Sequence, residues 1–234
     1  MSFIILNGIK STFIEGLLIS NLPAITKPVI RSEIETIDGR DGDIVTKLGY
    51  DAYDREITIG LYGDFMIDDV IRYFNSSGTV IFSNEPDKVY DYQILDQIDF
   101  ERLIRFRTAT VVMHVQPYKH SAVDQTFEYN ASGSAPKQFK IMNHGNVISK
   151  PVLTIYGSGN VVLALNGTNI LGMTINHDCI VIDAEMMEAY LGSDLLNRDV
   201  TGNYDDLALH VGINTLSWSG NVSKILISKY SRWV

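Results

Sequence analysis

Ile34-Glu-Thr-Ile-Asp-Gly-Arg-Asp-Gly-Asp-Ile-Val-Thr-Lys-Leu-Gly-Tyr-Asp-Ala-Tyr-Asp-Arg-Glu-Ile-Thr-Ile-Gly-Leu61 decides how the first half of the chain is read. At its centre Asp38-Gly39-Arg40-Asp41-Gly42-Asp43 rules out helix, because Gly accepts positive φ and Asp bonds its own backbone. Ile34, Thr36 and Ile37 before this turn favour strand. So do Ile57, Thr58, Ile59 and Leu61 after it, with Ile57, Ile59 and Leu61 on one face. Between the two arms runs a polar ribbon, Ile44 to Arg55, whose main apolar bodies are Tyr50 and Tyr53. A two-stranded ribbon is marginal alone in water. With little apolar surface to bury on its own domain, this one is expected to lean on another copy of the chain.

The 234 residues fit one large domain or two ordinary ones, and 45% hydrophobic content suffices for a core. No apolar run approaches a membrane span. The start, Met1 to Gly8, lacks the basic and cleavage regions of a signal peptide, so none is expected. The single cysteine, Cys179, excludes an internal disulfide and a cysteine-based zinc cluster, and its apolar setting predicts a buried, inert thiol. A net charge of −9 argues against tight nucleic-acid binding. The basic cluster Arg102, Arg105 and Arg107 alternates with apolar residues and reads as a solvated strand face.

Outward from the opening stretch, Phe3 to Ile9 reads as a strand turned by Asn7-Gly8, and Pro23 and Pro28 mark a loop or edge. Asp64 to Phe74 reads as the one convincing helix, capped by Asp64, with Val70, Ile71 and Phe74 on its apolar stripe. Thr79 to Phe82 and Val89 to Leu95 read as strands. Phe106 to Gln116 alternates with period two and should end at Pro117. The domain boundary is placed at Lys119 to Gln125, giving domains 1–120 and 121–234. A connecting arm runs on to Asn146 and includes a small polar loop, Asn130 to Pro136. Beyond it, strands Pro151–Tyr156 and Val161–Leu165 are joined by Gly157-Ser158-Gly159-Asn160. Strands Asn214–Trp218 and Val222–Ile227 are joined by Ser219-Gly220-Asn221. This spacing, with Asn166-Gly167 as a further turn, indicates a β-sandwich or jelly roll. Ala184 to Leu191 mixes helix and strand preferences.

No catalytic or metal constellation stands above background. Asp38, Asp41 and Asp43 miss the ligand spacing and closing Glu of a calcium loop, and Arg40 fills a ligand slot. Gly157-Ser158-Gly159 opens no helix, so it is no phosphate loop. The histidines, His114, His120, His144, His177 and His210, are dispersed, and no Gly-Xaa-Ser-Xaa-Gly elbow occurs. The Asp183 and Glu185 pair on one strand face arises easily by chance. No cofactor, no metal and no enzymatic activity are expected.

Taken in order, Ile37-Asp-Gly-Arg-Asp-Gly42, Asn146-Val-Ile-Ser-Lys-Pro-Val-Leu-Thr-Ile-Tyr-Gly-Ser-Gly159, Ile182-Asp-Ala-Glu-Met-Met-Glu-Ala-Tyr190 and Gly212-Ile-Asn-Thr-Leu-Ser-Trp-Ser-Gly220 resemble the distal tail protein (Dit) family of long, non-contractile tailed phages and prophages of Gram-positive bacteria. The resemblance covers essentially the whole chain. It implies a mainly β fold: an N-terminal β-rich ring-forming domain with one helix and a long β-hairpin, then a C-terminal galectin-like β-sandwich. It implies a structural virion protein, made in the host cytoplasm and placed at the tail tip. There a homo-hexameric ring would join the tail tube protein to the tail-associated tip protein and carry receptor-binding proteins. DNA would pass through the lumen without specific binding, and no membrane would be involved. Ile34 to Leu61 would supply the hairpin that reaches a neighbouring subunit, with Asp38, Gly39, Arg40, Asp41, Gly42, Asp43, Tyr50 and Tyr53 as contacts. Ala184 to Tyr190 would be strand. The C-terminal half carries no inserted module of the kind some relatives use as arms or to bind sugar. Galectin-like sandwiches often bind glycans, so Trp218 and Trp233, with Tyr190, form the stacking platform of an alternative reading, a carbohydrate-binding module of a host-adhesion device. Trp218 alternates with Leu216, which favours a core role. A hydrolase with a β-sandwich appendage is the third reading.

Overall fold

The computed structural model describes residues 2–75, 77–123, 126–131 and 137–234. The chain forms two units, Met1–Ala122 with Val234, and Val123–Trp233.

In the first unit the strands are β1 (Ile4–Leu6), β2 (Ile9–Lys10), β3 (Leu17–Asn21), β4 (Ile30–Thr36), β5 (Asp43–Tyr50), β6 (Tyr53–Leu61), β7 (Gly78–Phe82), β8 (Lys88–Gln93) and β9 (Thr108–Ser121). Helices α1 (Ile67–Phe74) and α2 (Phe100–Phe106) complete the regular elements. An antiparallel sheet runs in the order β2-β1-β7-β8-β9-β6-β3. Alternation along β6 and β9 turns Ile57, Ile59, Val111, Met113 and Val115 into the core, where Val70 and Phe74 of α1 and Leu103 of α2 are also buried. Asn7 and Gly8 both take positive φ and close a two-residue hairpin between β1 and β2.

Four expectations are corrected here. First, α1 starts at Ile67, after Met66, rather than at an Asp64 cap. A Cβ on Gly16 would stand 2.5 Å from the Asp64 carbonyl oxygen, so Asp64 and Phe65 are held against the start of β3 and the helix begins beyond them. Second, residues 100–106 are helical. The Asp99 carboxylate accepts the Arg102 N–H at 2.8 Å as an N-cap, and Arg107 ends the helix with φ 58°. The described residues thus hold two α-helices, not one. Third, β9 runs through Pro117. The β8–β9 register shifts between Tyr90 and Tyr92, so Pro117 falls where the ladder asks for no donor. Fourth, the hairpin joins β4 to β5 in a separate two-stranded sheet, while Ile57 to Leu61 sit in β6, inside the main sheet.

The second unit comprises β10 (Phe127–Asn130), β11 (Gln138–Asn143), β12 (Val152–Leu165), β13 (Thr168–Ile175), β14 (Cys179–Asp183), β15 (Glu188–Leu191), β16 (Asp194–Leu195), β17 (Val200–Gly202) and β18 (Gly212–Ser228). It is a β-sandwich whose layers share the long strands β12 and β18. The N-terminal half of β12 pairs with β14 and with the C-terminal half of β18, which carries β10 on its other side. The C-terminal half of β12 pairs with β13 and the N-terminal half of β18, flanked by β11. One core takes Leu153, Ile155, Ile182 and Ile225 from the first layer and Leu163, Leu171, Met173 and Trp218 from the second.

The segments 157–160 and 219–221 are therefore not turns. They are irregularities inside β12 and β18, where the paired register shifts and both strands bend together from one layer into the other. Where a connecting arm is expected, residues 127–130 and 138–143 are strands of the sandwich. Phe139 and Ile141 of β11 alternate into the core, and β10 and β11 are both hydrogen-bonded to β18. Of the Asn130–Pro136 loop, residues 132–136 lie outside the described residues. Ala184 to Met187 form a tight turn rather than strand. The Asp183 carboxylate accepts the N–H groups of Glu185 at 3.0 Å and Met186 at 2.9 Å, Met187 takes φ 56°, and strand resumes at Glu188.

Candidate subunit-contact surface

The hairpin begins with its register. Ile30 lies opposite Tyr50, Ile34 opposite Val45 and Thr36 opposite Asp43, with an irregularity between Arg31 and Ser32 that leaves Leu48 as the extra residue. The tip is closed by Gly39 and Gly42, both at positive φ, by the Arg40 N–H to the Ile37 carbonyl at 3.1 Å, and by the Thr36 hydroxyl to the Asp43 carboxylate at 3.1 Å. Ile34 and Val45 share one face as a cross-strand pair, 62% and 56% exposed. Leu48 and Ile37 are exposed too. An exposed cross-strand aliphatic pair near a hairpin tip is a candidate contact surface. Charge along residues 30–51 is acidic, with Arg31, Arg40 and Lys47 against Glu33, Glu35, Asp38, Asp41, Asp43 and Asp51.

Two links tie the hairpin to the core sheet. Residues 22–29 lead into β4 without regular structure, and Asp51-Ala52 lead out of β5. The Asp51 N–H donates to the Val29 carbonyl at 2.9 Å, and the Arg31 guanidinium lies 3.4 Å from the Asp51 carboxylate. Tyr50 is half-buried at the root, edge-on to Tyr118 with ring centroids 5.9 Å apart.

Of the residues expected to make the contact, Asp38 to Asp43 form the tip and Tyr50 the root. Tyr53 is elsewhere: it opens β6 opposite Val115 in the main sheet, and desolvation raises its hydroxyl pKa. Ile34 and Val45 were missed as a pair, because sequence placed β6 rather than β5 opposite β4. The basic cluster is dispersed on α2 and its cap. Arg105 pairs with Glu101 at 3.5 Å and Arg107 lies 4.6 Å from the Phe65 ring centre.

Trp218 offers no stacking face. It is 6% exposed, with Tyr129 at 5.6 Å and Phe139 at 6.1 Å between ring centres. Trp233 and Tyr190 are half-buried. Cys179 is half-buried rather than buried, and desolvation, aided by Asp178, raises its thiol pKa. Among the described residues no three His, Cys, Asp or Glu side chains are grouped to hold a metal ion, and no helix is long and apolar enough to cross a membrane.

The class so defined is a mainly antiparallel β protein of two units, the first with a two-stranded hairpin apart from its main sheet and the second a sandwich with shared strands. Its fold is that of phage distal tail proteins. The Dit protein of phage SPP1, described as a paradigm of the hub adsorption apparatus of Gram-positive-infecting phages, superimposes with a TM-score of 0.67 over 100% of both chains at 14% identity. A chain of the phage P2 baseplate in its activated conformation with Ca superimposes with a TM-score of 0.53, covering 100% of this chain and 98% of that one at 10% identity. No family profile and no curated protein matches the chain by sequence.

Proposed function

We propose that this chain is a structural component of a phage tail tip: a distal tail protein that assembles as a hexameric ring joining the tail tube to the tip proteins and receptor-binding proteins. The observation that carries the reading is the end-to-end match of both units to SPP1 Dit, with no part of either chain left over. The first unit builds the ring and the sandwich faces outward. The β4–β5 hairpin closes the ring by laying its Ile34–Val45 pair on the neighbouring subunit. The acidic balance of the chain, −9 overall, suits a bore through which DNA slides, because clustered cations would hold phosphate. Arg102, Arg105 and Arg107 accordingly do not line that bore as one patch.

Mass photometry across a concentration series, with negative-stain microscopy of the assembled fraction, tests the proposal. A discrete hexamer seen as rings, alone or with the tip partner, is expected. A monomer in both conditions, or rings whose bore is lined by the three arginines, would overturn the respective part.

A further inference from the structure

The hairpin hangs on two short links, yet a lever that must meet a neighbour needs a fixed direction. A buried cation lies beneath the start of the longer link. Arg55 sits on the core face of β6 and is 2% exposed. Its Nη2 donates to the carbonyl of Ala24 at 2.9 Å and lies 3.5 Å from that of Pro23. The Asn84 amide donates to the same Pro23 carbonyl at 2.9 Å. The guanidinium lies over an edge-to-face aromatic pair, 4.7 Å from the centre of Phe82 and 4.6 Å from that of Tyr90. Glu85 supplies counter-charge 3.9 Å from Nη1, and is itself held by Lys119 at 2.9 Å and by the Tyr90 hydroxyl.

This arrangement is more than the neutralisation of a buried charge. Lys119 already balances Glu85, and the Tyr53 hydroxyl also lies against the guanidinium. Burying a guanidinium is costly in a core that a Met would fill. What the guanidinium does that a Met would not is fork into a link that has no ladder of its own. Pro23 and Pro28 deny that link two backbone donors, so side chains reaching its carbonyls hold it.

We propose that Arg55 is a positioning residue: with Asn84 it pins residues 23–24 to the core, so that the hairpin leaves the first unit in one direction, presented for the subunit contact. The use of that direction rests on the ring reading; the pinning itself does not.

The test measures direction. Nitroxides are placed at Arg40→Cys on the hairpin tip and Arg72→Cys on α1, in a Cys179→Ser background. The labelled chain is diluted into excess unlabelled chain, and electron–electron distances are recorded alongside thermal melts and ring assembly. One narrow distance distribution is expected for the parent. Arg55→Met and Asn84→Ala should widen it, with Arg55→Met roughly doubling the width. Arg55→Lys should keep the melting temperature near the parent's yet leave the distribution broad, because a point charge lacks the fork. Distributions as narrow as the parent's in all three variants would overturn the proposal. So would a narrow Asn84→Ala distribution if Arg55→Met unfolds. Broadening in a chain that never forms rings leaves the pin standing and removes the ring reading. Broadening together with assembly weakened about tenfold supports both.

Discussion

Gly220 lies beneath the carbonyl of Asn160. A Cβ on Gly220 would stand 2.2 Å from that oxygen, and the residue also takes φ 95°. Across the same bend, a Cβ on Gly157 would stand 2.3 Å from the Asn221 carbonyl oxygen. The two longest strands of the sandwich thus pass from one layer to the other with their backbones in direct contact.

Gly220→Ala should therefore lower stability by about 2–4 kcal/mol, combining a backbone collision with a left-handed residue. Gly8→Ala is the control, since its φ is 83° but no atom lies within 4 Å of the added carbon, and about 1 kcal/mol is expected. Urea unfolding of the two variants checks this. Equal losses would mean that the close approach contributes nothing.

Ile34→Thr with Val45→Thr should leave the monomer within about 0.5 kcal/mol of the parent, because both side chains face water and Thr keeps the strand preference. Ring assembly, if it uses this pair, should weaken by at least about tenfold, corresponding to about 1.4 kcal/mol. Sedimentation of the double variant against the parent separates the two quantities. Unchanged assembly would remove the hairpin from the contact.

Tyr73 is buried, and its hydroxyl, with one proton to give, lies 3.1 Å from the carbonyl oxygen of Ile9 and 3.3 Å from that of Ile4. Desolvation raises its pKa well above the tyrosine value of 10.0. Tyr90 is raised in the same direction, chiefly by burial. A raised folded-state pKa adds stability that is complete below the unfolded value. It falls away as pH climbs above about 10, where only the unfolded chain can shed the proton. Absorbance titration should show these tyrosines ionising only as the protein unfolds. Tyr73→Phe should flatten the alkaline loss while removing about 1 kcal/mol at neutral pH. A smooth titration of every tyrosine near pH 10 with the fold intact would contradict this.

Asp99→Ala should shorten α2 and reduce stability by about 1 kcal/mol, as the carboxylate is the acceptor for the Arg102 N–H. Hydrogen exchange localised to residues 100–106 is the readout. Protection unchanged there would mean that packing of Leu103 alone holds the helix.

Turn chemistry was legible where it was local. Asn7-Gly8 and Asn166-Gly167 require two successive positive φ values, and the residues themselves announce it. The alternation of Ala109, Val111, Met113 and Val115 likewise revealed β9. Gly157 and Gly220 carry the same glycine chemistry for a different purpose. A bulge in a long strand and a turn between two short ones look alike until the partner strand is known. Helix α2 was hidden for another reason: only Phe100 and Leu103 of its seven residues face inward, too few to set a helical period against the alternating arginines. In the candidate contact, Asp38 to Asp43 were readable as a tip. The Ile34–Val45 pair was not, because pairing is non-local and β5 and β6 offered equally good strand signals. Arg55 falls on the same period-two face as Ile57, Ile59 and Leu61, but an arginine there reads equally well as the exposed end of the strand.

Strands β12 and β18 belong to both layers, so neither layer can be completed without the other's half of the same two strands. A sandwich knitted in this way has no sub-unit that could persist alone, and its melting should be a single cooperative transition in which both layers vanish together.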